Sequence, residues 1–411
     1  MFVHARSGLP TLRAKLRDGG RLRVLAFGTS ITAGGQYLAH VVPALERASP
    51  GLAVELTTVG LPGFDTVVAA LNAHDAARCA PDLAIVELGI NDHSQSLHPY
   101  IADALYGIVA QLRAAAPACD VLFAFAGRFG VDRGMEDAAM TIHRAVAEAL
   151  DLPSIDLFAL ANALVARGEA EAIGGGERAI TVDGTHHAPA AARILGVPFA
   201  DSIVALARES NGAVRPLPSL PATTEFLVTD RFDGEALCRM TMERHFMTDF
   251  SVVSGVIVAA GPARPATAGS PYFTRARSFA PHECIAGGDW SNASVPPGSV
   301  VFHRRTDVLV ALAAGAKLGF SCGPFFCVMG LAGETPLRVT IDGARIETQP
   351  AMVGGASSRA VWMLVVSQGL SDAPHTVEIE ALAPHAIGFT DIYAVMPASS
   401  RDATGAGAGA R

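Results

Sequence analysis

Ser30 closes the apolar run VLAFGTSIT at a Gly-x-Ser step, where the chain must turn out of a strand into its next element. A serine so placed projects its hydroxyl from the carboxyl edge of a sheet, which is where a nucleophile belongs. Thr32 stands where a G-x-S-x-G elbow would have its second glycine, so the same serine also reads as a helix N-cap. Asp183 and His186 lie three apart in the loop sequence DGTHH, close enough for the carboxylate to accept from imidazole Nδ1 and leave Nε2 facing a serine. A turn in which Asp183 caps backbone groups is the alternative, and His187 competes for the role of base; the Asp-x-x-His spacing favours His186.

Two further blocks follow apolar runs. In ELGIND, Asn91 sits just beyond DLAIV and carries a side-chain amide able to donate to a developing oxyanion. In VGLPGFDT, Gly60 and Gly63 open a turn where a backbone N–H can be approached closely.

These blocks need a scaffold that ends its strands on one edge. RLRVLAFG, AVELTTVG, DLAIVELG, VLFAFAG and SIDLF read as strands, separated by helical stretches near 36–48, 65–78, 99–115 and 135–150, with a last helix near 189–208. Continuous apolar strands joined by crossover helices make a parallel sheet covered on both faces, a three-layer α/β/α domain whose working loops lie at the strands' carboxyl ends. That domain is expected over residues 1–210.

The texture changes at NGAVRPLPSLPA, where each proline removes a donor and disfavours helix before it; 211–222 reads as a linker. From 223 to 398 come short alternating runs such as SVVSGVIVAA, FFCVMGL, LRVTIDGARIET and HTVEIEAL, spaced by turn residues. Asp342-Gly343 is a hairpin signal, since a type I′ turn needs two residues tolerant of positive φ. The second half is expected to be an antiparallel β-sandwich of jelly-roll type, followed by a disordered tail over 399–411.

The order of the four blocks resembles the SGNH/GDSL hydrolase superfamily, whose blocks are a GDS serine, an N-x-G-x-x-G stretch, G-x-N-D and a terminal D-x-x-H. Here they read GTS at 28–30, Thr58-x-Gly60-x-x-Gly63, Gly89-Ile90-Asn91-Asp92 and Asp183-x-x-His186, spanning roughly residues 20–210. By that resemblance Ser30 is the nucleophile, His186 the general base and Asp183 its orienting partner. The oxyanion hole it implies is made by the Ser30 N–H, the Gly63 N–H and the Asn91 side chain. Thr29 replaces the usual Asp of the first block and Thr58 the usual Asn of the second. The implied activity is that of a serine esterase needing no metal or cofactor. SGNH domains joined to a jelly-roll-like module resemble carbohydrate O-acetylesterases, so the expected substrate is a short acyl ester, above all acetyl, on a saccharide. Transfer of the acyl group to a sugar hydroxyl, esters of non-carbohydrate alcohols, and a glycan-binding protein with a vestigial site are the competing readings.

Trp290 in the loop GGDWSNAS offers a face for stacking on a sugar ring, or else plugs a sandwich edge. His93, His98 and Arg128 fall near the carboxyl edge and are candidates for lining the pocket, with ordinary surface placement the alternative. Composition excludes other classes. The 411 residues suggest two domains, at roughly 150 residues per domain. Thirty-one basic against 39 acidic side chains give a net charge of −8 with no basic stripe, which argues against nucleic acid. Six scattered cysteines without CxxC spacing read as small buried hydrophobes, and the histidines show no HExxH spacing for a metal. No apolar run reaches the roughly 18 residues that span a bilayer, and no apolar h-region follows the basic N-terminus. A cytoplasmic location is the resulting expectation.

Overall fold

The computed structural model describes residues 2–92, 98–130 and 134–218, and beyond them 245–247, 250–252, 256–260, 272–294, 307–323, 325–331, 337–346, 361–368, 370–371, 373–384 and 388–397. His93, the far end of the linker at 219–222 and the tail at 399–411 lie outside the described residues. The chain divides into two compact units, Met1–Val228 with Ala266–Thr274, and Thr229–Pro265 with Arg275–Arg411. Residues 272–274, which follow the linker in sequence, therefore pack with the first unit: Gln111 donates its amide to the Phe273 carbonyl at 2.8 Å.

The first unit runs β1 (Val3–His4), α1 (Pro10–Asp18), β2 (Gly20–Gly28), α2 (Ser30–Gly34), α3 (Val41–Ala48), β3 (Leu52–Gly60) and α4 (Thr66–Ala76). It continues through β4 (Leu83–Glu87), α5 (His98–Ala115), β5 (Asp120–Phe125), α6 (Gly134–Ala149), β6 (Ser154–Asp156) and α7 (Leu157–Ala166). It closes with β7 (Glu171–Ile173), β8 (Ala179–Thr181), α8 (Ala191–Ile194) and α9 (Gly196–Glu209).

Six strands form one sheet in the order β1-β6-β5-β4-β2-β3, parallel throughout except for β1, which pairs antiparallel with β6. Both faces are covered. Leu22, Val24 and Ala26 of β2 join a core shared with α1, α3 and α9, while Leu25 and Phe27, equally buried, point to the opposite face. Such a strand has no polar side to alternate with, which is why its sequence is a continuous apolar run. From β2 the chain first moves outward to β3 and then returns to the other side of β2 as β4. This reversal opens a crevice at the carboxyl ends of β2 and β4, the place where α/β sheets bind ligands.

The stretch near 36–48 is a 3₁₀ turn followed by α3, and the last helix is broken between Ile194 and Gly196. Pro198 accounts for the break, since it has no N–H to donate to the Ile194 carbonyl, and Gly196 fits the close passage there: a Cβ would sit 2.9 Å from the Gln36 carbonyl. Of the described helices none is long and apolar enough to cross a membrane.

The second unit contains a seven-stranded sheet and a five-stranded sheet. Phe326, Val328, Phe389 and Ile392 of the first share one core with Leu318, Phe320, Val339, Val377 and Ile379 of the second. Phe320 meets Phe326 edge-on across the two layers, ring centroids 5.4 Å apart. His375–Ala381 buries alternate residues, the signature of a strand with one face on the core. The Asp342-Gly343 turn has φ of 51° and 79°, and Ile341 pairs with Ala344 across it. Among the described residues of this unit one pairing departs from the all-antiparallel expectation: Val256–Ala260 runs parallel to Val361–Gln368.

Candidate active site

Ser30 is the first residue of α2, directly beyond the end of β2. Thr29 is extended and caps the helix, its hydroxyl accepting from the Ile31 N–H at 3.3 Å. The turn is tight because β3 passes close by. A Cβ on Gly60 would lie 2.4 Å from Ala33 Cβ and 2.7 Å from the Ala33 nitrogen, and Leu61 N–H donates to the Gly28 carbonyl at 2.7 Å. Gly60→Ala is therefore expected to push α2, and Ser30 with it, off the sheet edge, at an overpacking cost of about 1–3 kcal/mol. Thermal melting and kcat measured together check this; unchanged values of both would refute the close-approach argument.

The loop 182–187 presents the partners. Asp183 Oδ1 accepts from the backbone N–H of Thr185 at 2.8 Å and of His186 at 2.7 Å, while Oδ2 lies 2.7 Å from His186 Nδ1. On the far side of the ring His186 Nε2 is 3.2 Å from Ser30 Oγ. Partial burial alone would raise the Asp183 pKa, but the hydrogen bonds from His186 and the backbone outweigh it and hold the carboxyl below its usual range. The loop itself is anchored: Val182 N–H donates to the His186 carbonyl at 2.9 Å, Ala188 N–H to Ile180, and Phe129 N–H, from the loop after β5, to Gly184. Arg128 is thereby placed one residue from a direct contact with this loop.

His187, the competing candidate, is turned the other way. Its Nδ1 is buried with no hydrogen-bond partner, its ring meets Tyr37 edge-on at 6.2 Å, and burial pushes its pKa down to about 4. Such a ring stays neutral.

Asn91 and Gly63 are brought to one another. Gly63 has φ of 78°, a conformation that favours glycine, and Asn91 Nδ2 donates to the Phe64 carbonyl at 3.0 Å. Beneath them is a buried cluster that spacing alone does not reveal. Asp92 accepts from Thr66 N–H at 2.8 Å and Thr66 Oγ1 at 2.7 Å, and lies 2.8 Å from Nε2 of His143 on α6. Burial would raise the Asp92 pKa, yet the His143 and Thr66 contacts hold it below the ordinary value. The neighbouring Asp65, which caps α4, is pushed up to about 7 by burial and by the Asp92 charge. The cluster ties the Gly89–Asp92 turn to the start of α4.

Trp290 belongs to the second unit. Its indole N–H donates to the Gly287 carbonyl at 3.0 Å and its ring packs edge-on against Phe389, so it is built into the sandwich core rim. That unit also holds a second set of the three residue types. His375 Nδ1 is 2.6 Å from Asp342 Oδ2 and its Nε2 is 3.0 Å from Ser371 Oγ. There, however, Nε2 also lies 3.1 Å from Ser371's own carbonyl, and the Asp342 hairpin turn accepts from Thr376 N–H at 2.8 Å. These contacts tie the hairpin to the start of a neighbouring strand.

Asp183, His186 and Ser30 thus stand in hydrogen-bonded series at the switch point of a mainly parallel sheet covered on both faces. Residues 26–191 match the model of the GDSL-like lipase/acylhydrolase family. No curated protein sequence matches the chain. Among solved structures it is similar to a two-domain esterase (CEX) active on acetylated mannans, seen alone and co-crystallised with mannopentaose. Identities are 14% and 13% and TM-scores 0.62 and 0.61; 96% and 97% of this chain, and 99% of that chain in each, are covered. The likeness extends through both units and shows that the two-domain fold is shared.

Proposed function

We propose that the chain hydrolyses short acyl esters, above all acetyl, on a carbohydrate, with Ser30 as nucleophile. The observation that carries this is the series Asp183–His186–Ser30, at 2.7 and 3.2 Å, in the crevice beyond β2. Ser30 Oγ forms a bond to the ester carbonyl carbon as His186 Nε2 takes its proton; the C–O bond to the sugar then breaks and the same proton goes to the departing alkoxide. Water repeats the sequence and releases the acid. A serine hydroxyl is too weak a nucleophile without such a base. The Ser30 N–H, the Gly63 N–H and the Asn91 amide are assigned to the oxyanion, and Arg128 to the sugar side of the crevice. Support for a saccharide ester comes from the esterase on acetylated mannans, whose two-domain layout this chain shares.

The test is acetate release from acetylated manno- and xylo-oligosaccharides and from p-nitrophenyl acetate, set beside a long-chain p-nitrophenyl ester. Free acetate from a sugar ester, with the short chain preferred, is the expected result. Faster cleavage of the long chain would move the assignment to lipid-like esters, and accumulation of newly acylated sugar would move it to acyl transfer.

A further inference from the structure

Thr29 occupies the position where the family's first block has a carboxylate, yet a buried carboxylate lies against it. It belongs to Glu87, the last residue of β4 and fully buried. Glu87 Oε2 accepts from Thr29 N–H at 3.1 Å, from Thr29 Oγ1 at 2.9 Å and from Thr32 Oγ1 at 2.9 Å. All three donors flank Ser30 in sequence. Gly28 leaves room for the arrangement: a Cβ there would stand 2.8 Å from Glu87 Oε2 and 2.4 Å from the Glu87 carbonyl oxygen.

The hydrogens in this cluster have little freedom. Thr29 and Thr32 each spend their single hydroxyl proton on Glu87, so Thr29 Oγ1 is left to accept from Ile31 N–H, and Thr32 Oγ1 to accept from the Tyr37 hydroxyl 2.9 Å away. Tyr37 is itself fully buried and its ring meets His187, the neighbour of His186. The series Glu87, Thr32, Tyr37, His187 thus joins the serine turn to the histidine loop.

Resting on the reading of Ser30 as nucleophile, we propose that Glu87 is a positioning residue: its carboxylate binds the residues on both sides of Ser30 and fixes the Ser30 turn against the sheet. Three donors converge on Oε2, and an ionised oxygen holds them more strongly than a neutral amide carbonyl does. Glutamine offers one neutral oxygen to those three donors and sets its NH₂ where Oε1 stood, 3.2 Å from Thr29 Oγ1, which releases part of the turn. Displacing a reacting atom by about 1 Å costs on the order of 10²-fold in rate, so that is the loss expected in kcat, with KM changed little. Burial raises the Glu87 pKa to about 7, with the hydrogen bonds from Thr29 and Thr32 opposing it, so the contact loosens on the acid side of neutrality.

The experiment compares the native protein with Glu87→Gln, Thr29→Asp and the Thr29→Asp, Glu87→Gln double variant. Steady-state kinetics on p-nitrophenyl acetate are combined with thermal melting and with labelling by a serine-directed phosphonate located by mass spectrometry. Thr29→Asp alone sets two carboxylates side by side and is expected to lose activity; joined to Glu87→Gln it restores one carboxylate to the site and should recover at least about tenfold over Glu87→Gln. If Glu87→Gln does not fold, Thr29→Val, which deletes one donor to Glu87, replaces it and should lower kcat without moving KM. Undiminished kcat in folded Glu87→Gln, or no recovery in the double variant, overturns the proposal. Failure of the phosphonate to label Ser30 in the native protein instead removes the Ser30 reading beneath it.

Discussion

Ser30→Ala is expected to lower kcat on p-nitrophenyl acetate by on the order of 10⁴- to 10⁶-fold, and His186→Ala to bring it to nearly the same floor. The double variant should fall no further. A hydroxyl without its base and a base without its hydroxyl are equally unable to acylate, so the two losses describe one device and do not add. What remains above the uncatalysed rate comes from oxyanion donors and binding. The same experiment separates the two serine, histidine and aspartate sets. At Ser371 the imidazole Nε2 also faces that residue's own carbonyl at 3.1 Å, and an Nε2–H pointed at an acceptor cannot receive a serine proton. At Ser30 the imidazole Nε2 faces the hydroxyl itself, at 3.2 Å. A phosphonate should therefore modify Ser30 and leave Ser371 untouched, and Ser371→Ala should retain native turnover. Labelling at Ser371, or additive losses at Ser30 and His186, would defeat the assignment.

Features legible in the sequence are those whose causes are local. Strand ends followed by glycine, asparagine or serine place Ser30, Gly63 and Asn91 on one edge, because parallel sheets put their loops there. Asp183 and His186 are joined by a loop bond of i to i+3, which spacing can express. Other features are stabilised from a distance. Helix α1 lacks a side-chain cap of its own and buries little besides Leu12; its Leu12 N–H is satisfied by Asp120 of β5 at 2.8 Å. Helix α7 begins abruptly inside SIDLF because Asp156 both ends β6 and caps the helix, accepting from Ala159 N–H at 2.8 Å. Nor does a lone glutamate at the end of DLAIVE announce three donors arriving from residues 29 and 32. His143 reaches Asp92 from a helix some fifty residues away in sequence, and no motif marks it. The parallel pairing of Val256–Ala260 with Val361–Gln368 has the same character, since partner choice between apolar strands leaves no local trace.

Asp183→Asn is expected to cost more than its isosteric shape suggests. Oδ1 of Asp183 already accepts two backbone N–H groups while Oδ2 faces His186 Nδ1. Asparagine has one carbonyl oxygen, and the two backbone donors claim it, so the NH₂ group is left facing Nδ1. The imidazole must then place its hydrogen on Nε2, the nitrogen opposite Ser30, and cannot act as base. A buried aspartate replaced in this way loses on the order of 10⁴ in kcat. Asp183 is partly exposed and water competes for the ring, so a loss between about 10² and 10⁴ is expected here, with KM little changed. The pH dependence carries the sign of the argument. Because the native carboxyl titrates below the usual range, it stays ionised as the medium is acidified through the region where imidazoles gain protons. Its contribution to stability is present above the ordinary aspartate pKa and is lost only as pH falls through the lowered value. The native acid limb near neutrality thus contains no contribution from Asp183. In the variant, residual hydrolysis should rise with hydroxide across about pH 6 to 9, since no side chain then removes the serine proton. Retention of more than about a tenth of native kcat, with a native-shaped pH profile, would show that the second oxygen of Asp183 does not set the tautomer.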